Sequence, residues 1–141
     1  MTGIRIRAAF VGGALALSGC VTGGGPFVSS GTTDVAIGLG TIAAMGDGLI
    51  GGAGAGQLDR DERRAALEAE YRALEYTAAG QPVEWRGSGL GRSGEVVAAQ
   101  PYRVGSQDCR QYMHSFSLNG PRQTVRGTAC RNPDGSWTPL T

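Results

Sequence analysis

Two cysteines stand at equal distances from an Asn-Gly pair in this chain. Asn119-Gly120 is the strongest short-range hairpin signal, because both residues tolerate the positive φ that a tight turn demands. A turn there sets opposite each other residues whose numbers add to 239, and Cys109 and Cys130 are such a pair. Counting outward from the turn puts them at a non-hydrogen-bonded position, where side chains on facing strands lie closest. The expectation is one cross-strand disulfide. Pro121 lacks the N–H that would close the tightest turn, but a four-residue loop keeps the same pairing. The register places Tyr112, His114, Phe116 and Leu118 on one face with Val125 and Ala129, and Met113 on the other with the cysteines. Tyr112 falls opposite Gly127, where an aromatic ring would cover the gap left by a strand glycine.

The segment before this hairpin reads as a helix followed by short strands. Asp59 with Glu62 three residues later is a capping-box start, Gly80 is a stop, and Pro82 follows it. Leu67, Tyr71, Leu74 and Ala78 form one apolar stripe across the helix expected over residues 59–79. Arg64 with Glu68 and Glu68 with Arg72 are i,i+4 pairs, so the charge run reads as a solvated face. Strands are expected at Pro82–Arg86, Glu95–Ala99, Tyr102–Val104, Cys109–Leu118 and Arg122–Arg131, with a last one holding Trp137 after the Asn132-Pro133-Asp134-Gly135 turn.

Residues 35–58 are rich in Gly, Ala, Ile, Leu and Met. Ala36, Gly40, Ala44, Gly48, Gly52 and Gly56 recur every four residues, and on a helix they would make a groove that another helix could enter, a glycine zipper. In water this is a poor helix, since each interior Gly costs about 1 kcal/mol against Ala. Lipid or a second helix would have to stabilise it. Asp47 complicates a membrane span, and Gly46-Asp47-Gly48 offers a turn that would fold two short helices into a hairpin. A flexible Gly-Ala linker is the remaining alternative.

The N-terminus has Arg5 and Arg7, an apolar run from Ala8 to Leu17, and then Ser18, Gly19 and Cys20. That is the layout of a secretory signal, and Leu17-Ser18-Gly19-Cys20 resembles the lipobox of bacterial lipoprotein precursors. The resemblance implies cleavage after residue 19, a lipid on Cys20 and a tether over residues 20–34, whose Gly, Ser and Thr offer little apolar surface to offset ordering. Val21, rather than Asp, after the lipidated position favours the outer membrane by the same resemblance. Export to an oxidising compartment suits the Cys109–Cys130 bridge.

Composition removes several kinds of chemistry. All 13 basic residues are Arg, against 12 acidic residues, so the balance gives no footprint for nucleic acid and no lysine for Schiff bases. His114 is the only histidine. It is read as a sheet residue that cannot anchor a His-rich metal site, and no serine lies in a nucleophile-elbow pattern. The strings Gly46, Gly48, Gly51 and Gly89, Gly91, Gly94 match GxGxxG without the strand, helix and acidic residue that a dinucleotide site requires. The chain is expected to be neither an enzyme nor a holder of metal or cofactor, apart from the covalent lipid on Cys20.

The order of parts resembles a known family. Lipobox, glycine zipper, Leu58-Asp59-Arg60-Asp61-Glu62-Arg63-Arg64-Ala65, Gly80-Gln81-Pro82-Val83-Glu84-Trp85-Arg86, Cys109-Arg110, Gly127-Thr128-Ala129-Cys130-Arg131 and Pro133-Asp134-Gly135-Ser136-Trp137 are together similar to the 17-kilodalton surface-antigen family of rickettsia-like and other proteobacterial outer-membrane lipoproteins. Members often carry two consecutive zippers, whereas this chain has one, and Gly87-Ser88-Gly89 replaces the Asn-Pro that commonly follows Trp-Arg. The parts read along the chain add up to an α+β fold: signal helix (1–19), tether (20–34), Gly-rich zipper helix (35–58), and one amphipathic helix on a small antiparallel sheet with a disulfide-bridged hairpin (59–141). The resemblance implies a surface antigen in the cell envelope, lipid-anchored in the outer membrane, and the role expected there is a structural or interaction one. The zipper adds an expected membrane contact or homo-oligomer through Gly40, Ala44, Gly48, Gly52 and Gly56. The rival reading is a periplasmic binding module on a lipid tether, an inhibitor or assembly factor that uses the Gly87–Gly94 loop or a sheet edge.

Overall fold

A computed structural model describes residues 38–54 and 56–140. The signal segment, the lipobox with Cys20, the tether and Ala36 lie outside the described residues. Val35–Thr141 cluster as one compact unit.

Three helices precede six strands: α1 Leu39–Ala44, α2 Gly48–Gly54, α3 Arg60–Glu75, β1 Pro82–Arg86, β2 Arg92–Ala98, β3 Tyr102–Val104, β4 Gln107–Leu118, β5 Gln123–Arg131 and β6 Trp137–Leu140. The strands form one antiparallel sheet in the order β1-β2-β4-β5-β6, with β3 continuing the β2 line along β4. The hairpin register is the expected one. Cys109 pairs with Cys130, Tyr112 with Gly127 and Phe116 with Gln123. Asn119 has φ of 61°, and four residues, Asn119–Arg122, lie between the strands. The Cys109–Cys130 disulfide is present across a Cα separation of 4.0 Å.

The α3 helix begins with both halves of the capping box, the Asp59 side chain accepting from the Glu62 N–H and the Glu62 side chain from the Asp59 N–H. It ends at Glu75, one turn before the expected stop, so Ala78 is exposed and leaves the stripe. Leu67, Tyr71 and Leu74 are buried as expected, while Glu62 and Glu70 turn inward with them rather than joining the solvated face.

The glycine-rich segment is not one helix. It breaks at Met45–Asp47 into α1 and α2, with φ of +57° at both Gly46 and Gly48, which is the hairpin alternative. In the broken form Ile42, Met45 and Ile50 join the core between the helices and the sheet, which offsets the low propensity of a Gly-rich helix. Helix α3 lies over β1 and β2, α2 over β4 and β5, and α1 reaches α3 and β6. Together they cover one face of the sheet; among the described residues no helix covers the other. No helix among them is long and apolar enough to cross a membrane. Of the zipper positions, Gly40, Gly52 and Gly56 are exposed with open space where a Cβ would stand. Gly48 instead packs so closely on Glu70 and Leu67 that a Cβ would collide with both.

Candidate functional site

The polar chemistry of the domain is gathered where α3 meets the sheet. Three glutamates on α3 each reach a different strand. Glu70 is the central one and is fully buried, as is His114 on β4. The Trp85 indole Nε1–H donates to His114 Nε2 at 2.7 Å, and His114 Nδ1 lies 2.7 Å from Glu70 Oε1. An indole can only donate, so Nε2 accepts and the ring proton sits on Nδ1, from which it donates to the carboxylate. Glu70 also accepts from the backbone N–H groups of Leu49 at 3.0 Å and Ile50 at 3.1 Å, and from the Tyr112 hydroxyl at 3.3 Å. The carboxylate thus sits at the N-terminus of α2, where aligned N–H groups favour negative charge. Burial first, and the Glu70 charge second, push the Tyr112 phenol far above its usual range.

Two flanking clusters repeat the pattern. Glu62 accepts both N–H groups of one guanidinium edge of Arg92, Nε and Nη2 each at 2.6 Å, and the Ser88 N–H at 3.2 Å. The Arg92 hydrogen bonds lower the Glu62 pKa to about 2. Arg92 also donates to the Gln57 carbonyl, tying the end of the glycine-rich segment to the sheet. At the other end of α3, Glu75 accepts from Arg131 at 2.8 Å and from the Trp137 indole at 2.7 Å. The Arg131 contact holds the Glu75 carboxyl below the usual range. Tyr71 donates to the Gly135 carbonyl at 3.1 Å, and burial raises its pKa to about 12.

Arg110 closes the helix. Its guanidinium donates to the carbonyls of Ala73, Leu74 and Thr77 at the C-terminal end of α3 and to Ala99, which satisfies orphan carbonyls and places positive charge at the negative end of the helix dipole. Burial lowers its pKa. No buried side-chain nitrogen or oxygen among the described residues lacks a partner. None of the His, Cys, Asp and Glu residues described form a group that could hold a metal ion.

Two of these features carry a signal in the sequence. Glu70 lies within the apolar stripe, between Leu67 and Leu74, and Arg110 shares strand parity with Tyr112, His114, Phe116 and Leu118. Trp85 gave no local signal, because its indole crosses β2 to reach β4. Gly94 permits that crossing: a Cβ there would stand 2.5 Å from Trp85 Nε1 and 2.9 Å from the Ser115 carbonyl oxygen. Gly127, which pairs with Tyr112 as expected, likewise leaves room for Leu49 of α2. Asp47 sits exposed in the α1–α2 turn and pairs with Arg63 at 2.6 Å.

Fold and site define a disulfide-stapled α+β domain whose inward-facing polar residues are spent on joining helix to sheet. A family model described as 17 kDa outer membrane surface antigen matches residues 72–138. The 17 kDa surface antigen of Rickettsia bellii is 36% identical over 107 residues, covering 71% of this chain and 67% of that protein. That of Rickettsia felis is 41% identical over 81 residues, 57% of this chain and 51% of that protein. Rickettsia prowazekii has a counterpart 38% identical over 80 residues. The chain belongs to the 17 kDa surface antigen family. No solved structure matches it.

Proposed function

We propose that this protein is a lipid-anchored component of the outer membrane, acylated at Cys20, with a structural or interaction role in the envelope rather than a catalytic one. The observation that weighs against a catalytic role is the state of the one histidine. His114 is enclosed, with one ring nitrogen held by Trp85 and the other by Glu70, so the group most suited to proton transfer is engaged in packing. Support for the location comes from the lipobox at Leu17–Cys20 and from relatives that are surface antigens. Acyl chains add about 0.8 kcal/mol per buried CH₂, and more than one chain holds a protein stably on a bilayer.

The test is Cys20→Ser in cells fed labelled palmitate. The parent should take up label and fractionate with outer membranes, and the variant should do neither. A variant that still takes up label and stays with the membrane would sink the proposal.

A further inference from the structure

We propose that the free edge of β1 is a self-recognition surface, through which two copies join their sheets by antiparallel pairing of β1 with β1. The hydrogen-bond phase of the sheet determines which groups face outward. Gly87 N–H donates to the Arg92 carbonyl, and Ala99 N–H to that of Gln111. In the β1–β2 register these fix Val83 and Trp85 as the residues that bond to β2, paired with Val96 and Gly94. Glu84 and Arg86 therefore turn their N–H and C=O groups away from the sheet. Strand β1 ends the strand order, and no hydrogen bond among the described residues uses those groups.

The side chains at those two positions are complementary to a second copy. Glu84 stands directly opposite Glu95, a like-charge pairing that destabilises a sheet. Glu95 is relieved by Arg122. Glu84 and Arg86 are both exposed, and neither has an ion-pair partner among the described residues. When β1 pairs antiparallel with its copy so that Glu84 faces Arg86, the two-fold symmetry places Arg86 opposite Glu84 as well. This register matches outward-facing residues with outward-facing residues. It closes four main-chain hydrogen bonds and two ion pairs on the open face of the sheet. Val83 then faces Gly87 of the other copy, which has no side chain, and Trp85 leans over Gly94 toward His114, away from the joint. The contact is isologous and closes at two copies. The opposite edge is blunted, because β6 carries Pro139 in its middle.

The test uses the mature chain carrying Cys20→Ser, so that no acyl chain contributes to self-association, in sedimentation equilibrium up to about 0.2 mM, as a contact this small requires. The parent should be a reversible dimer. Glu84→Arg and Arg86→Glu should each weaken it by about tenfold or more, since each turns two attractive pairs repulsive, and the double variant should recover the parent's affinity. Circular dichroism melts show that the variants fold. Register is read by oxidising Glu84→Cys and Arg86→Cys chains: a mixture should yield a covalent heterodimer, because facing positions about 5.5 Å apart suit a disulfide, and neither chain alone should cross-link. A monomeric parent, single variants that dimerise like the parent, failure of the double variant to recover, or cross-linking of Glu84→Cys with itself would each overturn the proposal.

Discussion

Glu70→Ala should be among the most damaging single substitutions in the domain. The variant removes the acceptor for Ile50 N–H, Leu49 N–H, His114 Nδ1–H and the Tyr112 hydroxyl. Tyr112 can turn its hydroxyl, and Leu49 is near enough to the surface for water to reach its N–H. Ile50 N–H and His114 Nδ1–H remain, both buried. At about 1–3 kcal/mol for each donor left unsatisfied, less the relief of no longer burying a carboxylate, the net loss is about 3–4 kcal/mol. For a domain of this size that is a fall in Tm of roughly 15–25 °C. Glu70→Gln keeps the shape and one acceptor oxygen, and should lose about half as much. Urea unfolding of the Cys20→Ser chain at neutral pH measures both. Hydrogen exchange should show where the damage lies: amides of α2 should lose protection in Glu70→Ala before those of β2 and β4, because the carboxylate is what seats α2. A loss under about 1 kcal/mol, the size of a surface substitution, or unchanged protection of α2, would refute the reasoning.

The disulfide closes a loop with a sequence separation of 21, so its reduction should cost about 3 kcal/mol in the chain-entropy model, read as a lower Tm in reductant that Cys109→Ser with Cys130→Ser reproduces. The Glu62 carboxyl is depressed to about 2 from 4.5; a depressed acid contributes stability above its unfolded value and loses it as pH falls through the folded one. Stability should therefore drop between about pH 4.5 and 2 by on the order of 2 kcal/mol once solvent screening is allowed for, and Glu62→Gln should flatten that limb in acid titrations of the unfolding free energy. Gly94→Ala should cost about 1–3 kcal/mol in urea unfolding, because the new methyl meets the Trp85 ring and a backbone carbonyl. Gly127→Ala, which meets only the end of Leu49, should cost less.

The amino-acid sequence determined the parts of this protein whose causes are local or periodic. The Asn119-Gly120 turn fixed the hairpin register, and two cysteines equidistant from it fixed the bridge, because strand pairing across a short turn is a matter of counting. Asp59 and Glu62 announced the start of α3 for a similar reason: a capping box satisfies its donors within one turn. The order of short motifs also carried the family.

Only the tertiary structure decided the rest. The small residues at every fourth position describe a groove on any helix, yet whether residues 39–54 form one depends on what else they can bury against. Broken into α1 and α2, the segment buries Ile42, Met45 and Ile50 in the core that it shares with α3 and the sheet. Glu70 meets Leu49 from 21 residues away and His114 from 44. A carboxylate becomes a core residue only when such donors arrive from elements distant in the chain. Without them its burial would cost more than the helix could return, so a lone glutamate in an apolar stripe does not by itself reveal which strand it will hold.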